Sequence, residues 1–233
     1  MKKAFTLAEV LITLVIIGVV AAITVPTLAN RAKYTQYRSA AYKALSLLNQ
    51  AVEKYYVEYG VRPECGYSSE GSNKNGDFTD CKNLHDFIVR TVNIAKYCPT
   101  NAYTNGCVSG DYRGVDSADI VYEAENGVYG CSGFNQSNIR GHSAFVTADG
   151  MIFILYKSGS SYIPIYIVDL NGEKGPNRYG IDMHFFTAKF DSPTPKNDIS
   201  GTKFYPGGYK CTFYEHGGIR TEDLMYKSSK YQE

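Results

Sequence analysis

Tryptophan is absent from this 233-residue chain, histidine occurs four times, and the formal net charge is only +1. A near-neutral chain is not built for indiscriminate nucleic-acid binding, so no nucleic-acid partner is expected. The histidines, His85, His142, His184 and His216, are scattered singly, and no Cys-x-x-Cys pair exists, so the usual ligand spacing of a zinc site is missing. There is no Gly-x-Ser-x-Gly, no phosphate loop, no His-Glu-x-x-His and no dinucleotide fingerprint. Adjacent polar residues such as His142 and Ser143 therefore read as ordinary surface or core positions, and no enzyme activity is expected. The most informative absence is one of charge. From Val10 to Asn30, 21 consecutive residues carry none.

What fills that gap is apolar. Phe5 to Leu28 reads FTLAEVLITLVIIGVVAAITVPTL, and a helix over the uncharged run spans roughly 30 Å, the thickness of a bilayer core. Three residues in it are not needed by a simple anchor: Glu9 near its start, Gly18 at its middle and Pro26 near its end. An ionisable group at membrane depth costs about 2.5–3.5 kcal/mol and persists mainly where it has a partner, so Glu9 calls for a cation. Other readings of the stretch are a buried soluble helix, a secretory signal leaving through Thr27-Leu28-Ala29, and a plain single-span anchor. The apolar core is too long for a typical signal and begins with Glu9. Lys2 and Lys3 put the N-terminus inside, although Arg31 and Lys33 beyond the span blur the charge asymmetry.

Lys2-Lys3-Ala4, then Phe5-Thr6-Leu7-Ala8-Glu9, then an apolar helix, resembles the class III leader and N-terminal helix of type IV pilins and of type II secretion pseudopilins. The resemblance covers about the first sixty residues. It implies that a prepilin peptidase cuts between Ala4 and Phe5 and methylates Phe5, with Ala4 standing where the family usually has Gly. It further implies that Glu9 pairs with the N-terminal amine of a neighbouring subunit, and that Gly18 and Pro26 mark a segment that loosens during assembly. The implied organisation is a leader at 1–4, a transmembrane helix at 5–30, its amphipathic continuation at 31–60 and an extracytoplasmic globular domain at 61–233. The implied function is structural: a pseudopilin or minor pilin, anchored in the inner membrane and polymerising with other pilin-type subunits. An adhesive or DNA-uptake pilin, which would need a localised basic surface, and a membrane-tethered binding protein or enzyme, which would need a pocket with perturbed titratable groups, are the alternatives.

All six cysteines, Cys65, Cys81, Cys98, Cys107, Cys131 and Cys211, follow the membrane stretch. An even count on the oxidising side of a membrane favours disulfides, with a local bridge among Cys65, Cys81, Cys98 and Cys107 expected first.

Beyond Leu28 the pattern turns amphipathic. Tyr34, Tyr37, Ala41, Ala44, Leu48, Ala51 and Tyr55 step by three and four, which predicts one continuous helix ending at Gly60. A coiled coil would share that spacing, but the stripe of small and aromatic residues suits a sheet from the same chain and helices from neighbours. Val61 to Thr79 reads as a loop. Leu84, Phe87, Ile88, Val92 and Ala95 space a short helix from Thr79-Asp80 to just before Cys98-Pro99, and Tyr103 to Asn138 reads as irregular, with one short strand at Ile120 to Tyr122. Ala144 to Thr147, Asp149-Gly150 and Met151 to Tyr156 predict a hairpin with a tight primed turn. Tyr162 to Val168, whose Pro164 needs an edge or bulge, and Ile181 to Phe190 supply further strands. The predicted class is α+β, a long helix on a small antiparallel sheet with disulfide-stapled loops, and Asp191 to Glu233 is a pinned C-terminal region. Asp169 and Asn171, near Gly172 and followed by Asp182, offer oxygen ligands suited to calcium, but the EF-hand spacing is absent and a structural turn explains the same residues. No other cofactor is expected.

Overall fold

The computed structural model describes residues 6–63, 79–109, 140–158, 161–191, 201–207 and 218–226. Helix α1, Leu7–Tyr59, runs unbroken for 53 residues, close to 80 Å. It ends where expected: Gly60 takes φ 72° and its N–H donates to the Tyr56 carbonyl at 2.8 Å, the left-handed cap that a Cβ would strain. Then come α2 (Thr79–Thr91), β1 (Ile94–Cys98), β2 (Ser143–Thr147), β3 (Ile152–Ser158), β4 (Ser161–Asp169), a 3₁₀ turn at Gly172–Lys174, β5 (Met183–Asp191), β6 (Gly201–Pro206) and α3 (Thr221–Tyr226). The fold is α+β. Its sheet is a six-stranded antiparallel meander in chain order.

Period-two alternation gives the sheet two apolar faces. Phe145, Phe153, Tyr166, Val168, Phe186, Ala188 and Phe204 form one core with Tyr37, Ala41, Ala44, Leu48, Ala51, Val52 and Tyr55 of α1. The alanines matter because they let the helix backbone lie close over bulky strand residues. On the other face Ile152, Ile154, Ile167, Met183 and Phe185 pack with Tyr179 and the Cys98–Val108 segment. Both strand faces are therefore buried, which explains why β3 and β4 read as nearly continuous apolar runs rather than as clean alternation.

Several sequence expectations need correction. The short helix was predicted through Ala95, but α2 stops at Thr91 and Ile94–Cys98 is the edge strand β1, paired with β2 from Ile94↔Thr147 to Cys98↔Ala144. Cross-strand pairing outweighed helical spacing in this β-branched and aromatic stretch. The hairpin forms, yet not with a two-residue primed turn. Only Gly150 has positive φ, 91°, and the bonds Gly150 N–H to Thr147 O and Thr147 N–H to Met151 O, both 2.9 Å, close a three-residue loop over Ala148 to Gly150 that ends in a left-handed glycine. The strand expected at Ile181 to Phe190 begins two residues later, at Met183. Pro164 is accommodated as expected of a bulge: β4 is interior, but its register with β3 slips between Tyr156 and Ser158, and its pairing with β5 runs from Ile165 to Asp169. Strand β6 and helix α3 lie in the stretch taken only as a pinned C-terminal region, and both are ordered elements. The strand expected at Ile120 to Tyr122 lies outside the described residues.

Strand β6 is fastened edge-on to α1. The Asn49 side chain donates to the Phe204 carbonyl at 3.0 Å and accepts the Phe204 N–H at 2.9 Å. The Thr202 N–H and hydroxyl both donate to the Pro63 carbonyl, the former at 3.2 Å.

Candidate functional site

The functional candidates predicted from sequence lie mainly along α1. Thr6, in extended conformation with φ −79° and ψ 152°, is its N-cap. The Glu9 N–H donates to the Thr6 hydroxyl oxygen at 3.3 Å, while the Thr6 N–H and hydroxyl both donate to Glu9 Oε2 at 2.9 Å. This reciprocal capping box answers the hydrogen-bonding need of Glu9 within one chain. Neutral donors leave its charge uncompensated, however, so the reason for a cation stands. Ala4 and Phe5 lie outside the described residues.

The membrane stretch is helical and turned outward along its length. Leu11, Ile17, Ile23 and Leu28 are 54%, 64%, 68% and 63% exposed. Among the described residues one helix is long and apolar enough to cross a membrane. A Cβ on Gly18 would meet no neighbour within 4 Å, so nothing in the monomer requires glycine there. Pro26 sits inside the helix and cannot donate to the carbonyl four residues before it. Hydroxyls in the same region are satisfied within the helix: Thr24 donates to Val20 O at 2.8 Å and Thr27 to Ile23 O at 3.2 Å, as apolar surroundings demand.

Past Asn30 the same helix acquires partners. Tyr34 Oη and Tyr42 Oη donate to the Leu224 and Met225 carbonyls at 3.4 and 2.6 Å, and Arg38 Nη2 donates to Met225 O at 3.1 Å. Three α1 side chains thus satisfy the carbonyl end of α3. Sequence reasoning missed this clamp, since nothing in the local pattern of Thr221 to Tyr226 names its receptor.

Of the six cysteines, Cys98 and Cys107 form a disulfide with Cα atoms 6.2 Å apart, within the local group expected. It closes a short loop and stabilises by about 2.5 kcal/mol on a chain-entropy basis. Cys81 lies in α2, and Cys65, Cys131 and Cys211 lie outside the described residues.

The calcium candidates do come together. Asp182 is buried and accepts the Asn177 and Arg178 N–H groups at 3.0 and 2.8 Å; burial raises its pKa against those amides. Asp169 is also buried, and its Oδ1 accepts the Asn171 N–H at 3.1 Å. Asn171 Nδ2 donates to Tyr37 Oη at 3.2 Å and to Gly175 O at 3.1 Å, while its Oδ1 is buried with no hydrogen-bond partner. Tyr37 is held well above the ordinary phenol range by burial, then by Asp182 and Asp169. The donors are all oxygen, as a hard cation requires. They fall short of the usual six to eight ligands, and backbone amides already occupy both Asp182 oxygens.

Two histidines carry structure that the sequence did not announce. His85 Nδ1 lies 2.7 Å from Tyr166 Oη and His85 Nε2 lies 3.3 Å from Ser143 Oγ, tying α2 to β4 and β2. Tyr166 is fully buried and its hydroxyl is pushed well up in pKa, so it stays neutral and supplies no charge to the histidine. His184 is wholly buried; burial lowers its pKa to about 4, offset in part by the backbone of Ile181.

Comparison with known proteins bears on the first of these regions. Residues 1–25 match the family model described as the prokaryotic N-terminal methylation motif. The chain carries the prepilin-cleavage signature. The motif is that of type IV pilins and pseudopilins, a structural family, and together with the apolar helix it fits an inner-membrane-anchored protein. No curated protein and no solved structure matches the chain.

Proposed function

We propose that this protein is a structural subunit, a pseudopilin or minor pilin, of a type IV pilus-like or type II secretion filament. The observation that carries the reading is the methylation motif at residues 1–25 set on a helix that leaves the bilayer and becomes the core of its own domain. A prepilin peptidase removes Met1 to Ala4 on the cytoplasmic side and methylates Phe5; the domain beyond Asn30 lies outside; neighbouring subunits join through α1. In the assembled state the Glu9 carboxylate pairs with the amine of Phe5 on a neighbour. Losing one side of such a pair at low dielectric costs about 3–5 kcal/mol.

Two readouts on one preparation test this. Mass spectrometry of the membrane-isolated chain should give an N-terminus at methylated Phe5, and Glu9→Leu at matched membrane abundance should lose most pelletable assembly. A start at Asn30 would make the stretch a secretory signal. Normal assembly of the Glu9→Leu chain would remove the pairing.

A further inference from the structure

The two edges of the sheet are not alike. Strand β6 is fastened to α1 and Pro63, whereas β1, the first strand of the meander, has a strand partner on one side only. The direction of each β1 main-chain group follows from the bonds around it. Thr147 turns toward β3, donating to Met151 O and accepting from the Gly150 N–H, both at 2.9 Å, and the Ala148 N–H donates to Asn93 O at 3.1 Å. Alternation then turns Val146 and Ala144 toward β1, so their register partners Lys96 and Cys98 spend their N–H and C=O groups on β2. The peptide bonds of this stretch are trans, and a trans peptide holds its N–H and C=O on opposite sides. The Ala95 C=O and both main-chain groups of Tyr97 therefore point away from the sheet. Among the described residues no strand closes this edge.

The flanking side chains leave it open. Ala95, Lys96 and Tyr97 are all exposed, Tyr97 at 38%. Lys96 folds back so that its Nζ donates to Gly106 O at 2.9 Å, and the Tyr97 ring leans toward His85, with centroids 6.2 Å apart. The window has defined ends: Asn93 O is already taken by Ala148, and Pro99 has no N–H. Main-chain groups set out in this way are matched by another extended backbone, as in strand addition.

A second copy of the chain is a poor occupant. Its β6 rim is fastened, and pairing β1 with its own antiparallel copy, Ala95 C=O to the copy's Tyr97 N–H, sets Lys96 opposite Lys96 with Cβ atoms about 5 Å apart. A carboxylate in that place is attracted instead, because the Lys96 ammonium has N–H groups to spare beyond the one given to Gly106 O. We infer that the β1 edge is a docking strand for an extended segment of a different chain, one that carries a carboxylate opposite Lys96. The segment lies antiparallel to Ile94–Cys98, accepts the Tyr97 N–H and donates to the Ala95 and Tyr97 carbonyls. This edge belongs to the sheet and owes nothing to the membrane half of α1, so it stands or falls apart from the filament reading.

The test uses the full chain in detergent micelles and two blocked Thr/Val peptides that differ only in a central Glu or Lys, with amide exchange read residue by residue. In the free chain the Tyr97 amide should exchange at least about a hundredfold faster than those of Lys96 and Cys98. The Glu peptide should slow Tyr97 at least about fivefold, and the Lys peptide should not. Lys96→Glu should reverse that preference, and Lys96→Gln, which keeps a donor for Gly106 O, should erase it. A protected Cys98 amide shows that β1 is still paired with β2; if Lys96→Glu loses it, Lys96→Gln carries the test. A Tyr97 amide as slow as its neighbours in the free chain overturns the open edge. No slowing by the Glu peptide, or equal slowing by both peptides, overturns the docking of an acidic strand. Protection of Tyr97 that grows with protein concentration alone overturns the unlike partner and makes this edge a contact between copies.

Discussion

The two halves of α1 share a backbone and differ in solvent. From Val10 to Leu28 the side chains are uncharged and mostly apolar and point into open surroundings; from Arg31 to Tyr59 one stripe is buried against a sheet and the rest faces water. Apolar residues in the first half are satisfied by lipid and in the second by Phe145, Phe153, Phe186 and Phe204. Hydrophobicity alone therefore does not say where a residue packs. What separates the halves is periodicity: an all-round apolar surface asks for a surrounding apolar medium, while a three-four stripe asks for a partner on one side.

That contrast can be broken experimentally. Leu48 is fully buried, so Leu48→Ala should destabilise the outer domain by about 2–5 kcal/mol through lost burial and a residual cavity. Ile17→Ala, a deletion of similar size in the membrane half, should leave denaturant unfolding of the detergent-solubilised chain unchanged. Equal losses would mean that the membrane half packs within the monomer after all.

Acid should reach the outer domain through a buried histidine. His184 has a folded pKa depressed from 6.5 to about 4, so the unfolded chain binds the extra proton between those values. Its contribution is complete above about pH 6.5 and is lost as pH falls toward 4, amounting to ~3 kcal/mol. Asp182, raised in the fold, works in the opposite sense, because its buried carboxylate is more easily kept neutral. His184→Phe should flatten the pH dependence of the melting temperature between pH 6.5 and 4. An unchanged slope would place the acid sensitivity elsewhere.

The smallest effect is expected at the Asp169–Asp182 loop. Since amides and Tyr37 already hold its side chains, chelator should shift the melting temperature by less than about 1 °C. A fall of several degrees, reversed by calcium, would instead make Asp169, Asp182 and the orphaned Asn171 Oδ1 ligands, because a cation bound only by the native state stabilises it.

Legibility in the sequence followed the range of the physics. Helix α1, its cap at Gly60 and the β2–β3 hairpin were readable because spacing, a left-handed glycine and an Asp-Gly pair are local signals. Strand β1 was misread because its neighbour in space, β2, is more than forty residues away in sequence. Strand β6 and α3 went unseen for a similar reason: Phe204 is completed by Asn49 and Met225 by Arg38 and Tyr42, across separations of 155 and 183 to 187 residues. The relay at His85 depends on Tyr166 and Ser143 from two strands; a lone histidine gave no hint of it. In α1, Glu9 was recognised by type and depth, but its capping role needed Thr6 in extended conformation.

The fastening of β6 has a consequence for how copies of this protein can meet. An edge strand with free N–H and C=O groups recruits further strands from any chain that unfolds nearby. Here the Thr202 N–H is spent on Pro63 and both main-chain groups of Phe204 on Asn49, and Pro206 has no N–H to offer. That margin is sealed. Strand addition at this rim is thereby blocked, so any meeting of copies has to use other surfaces.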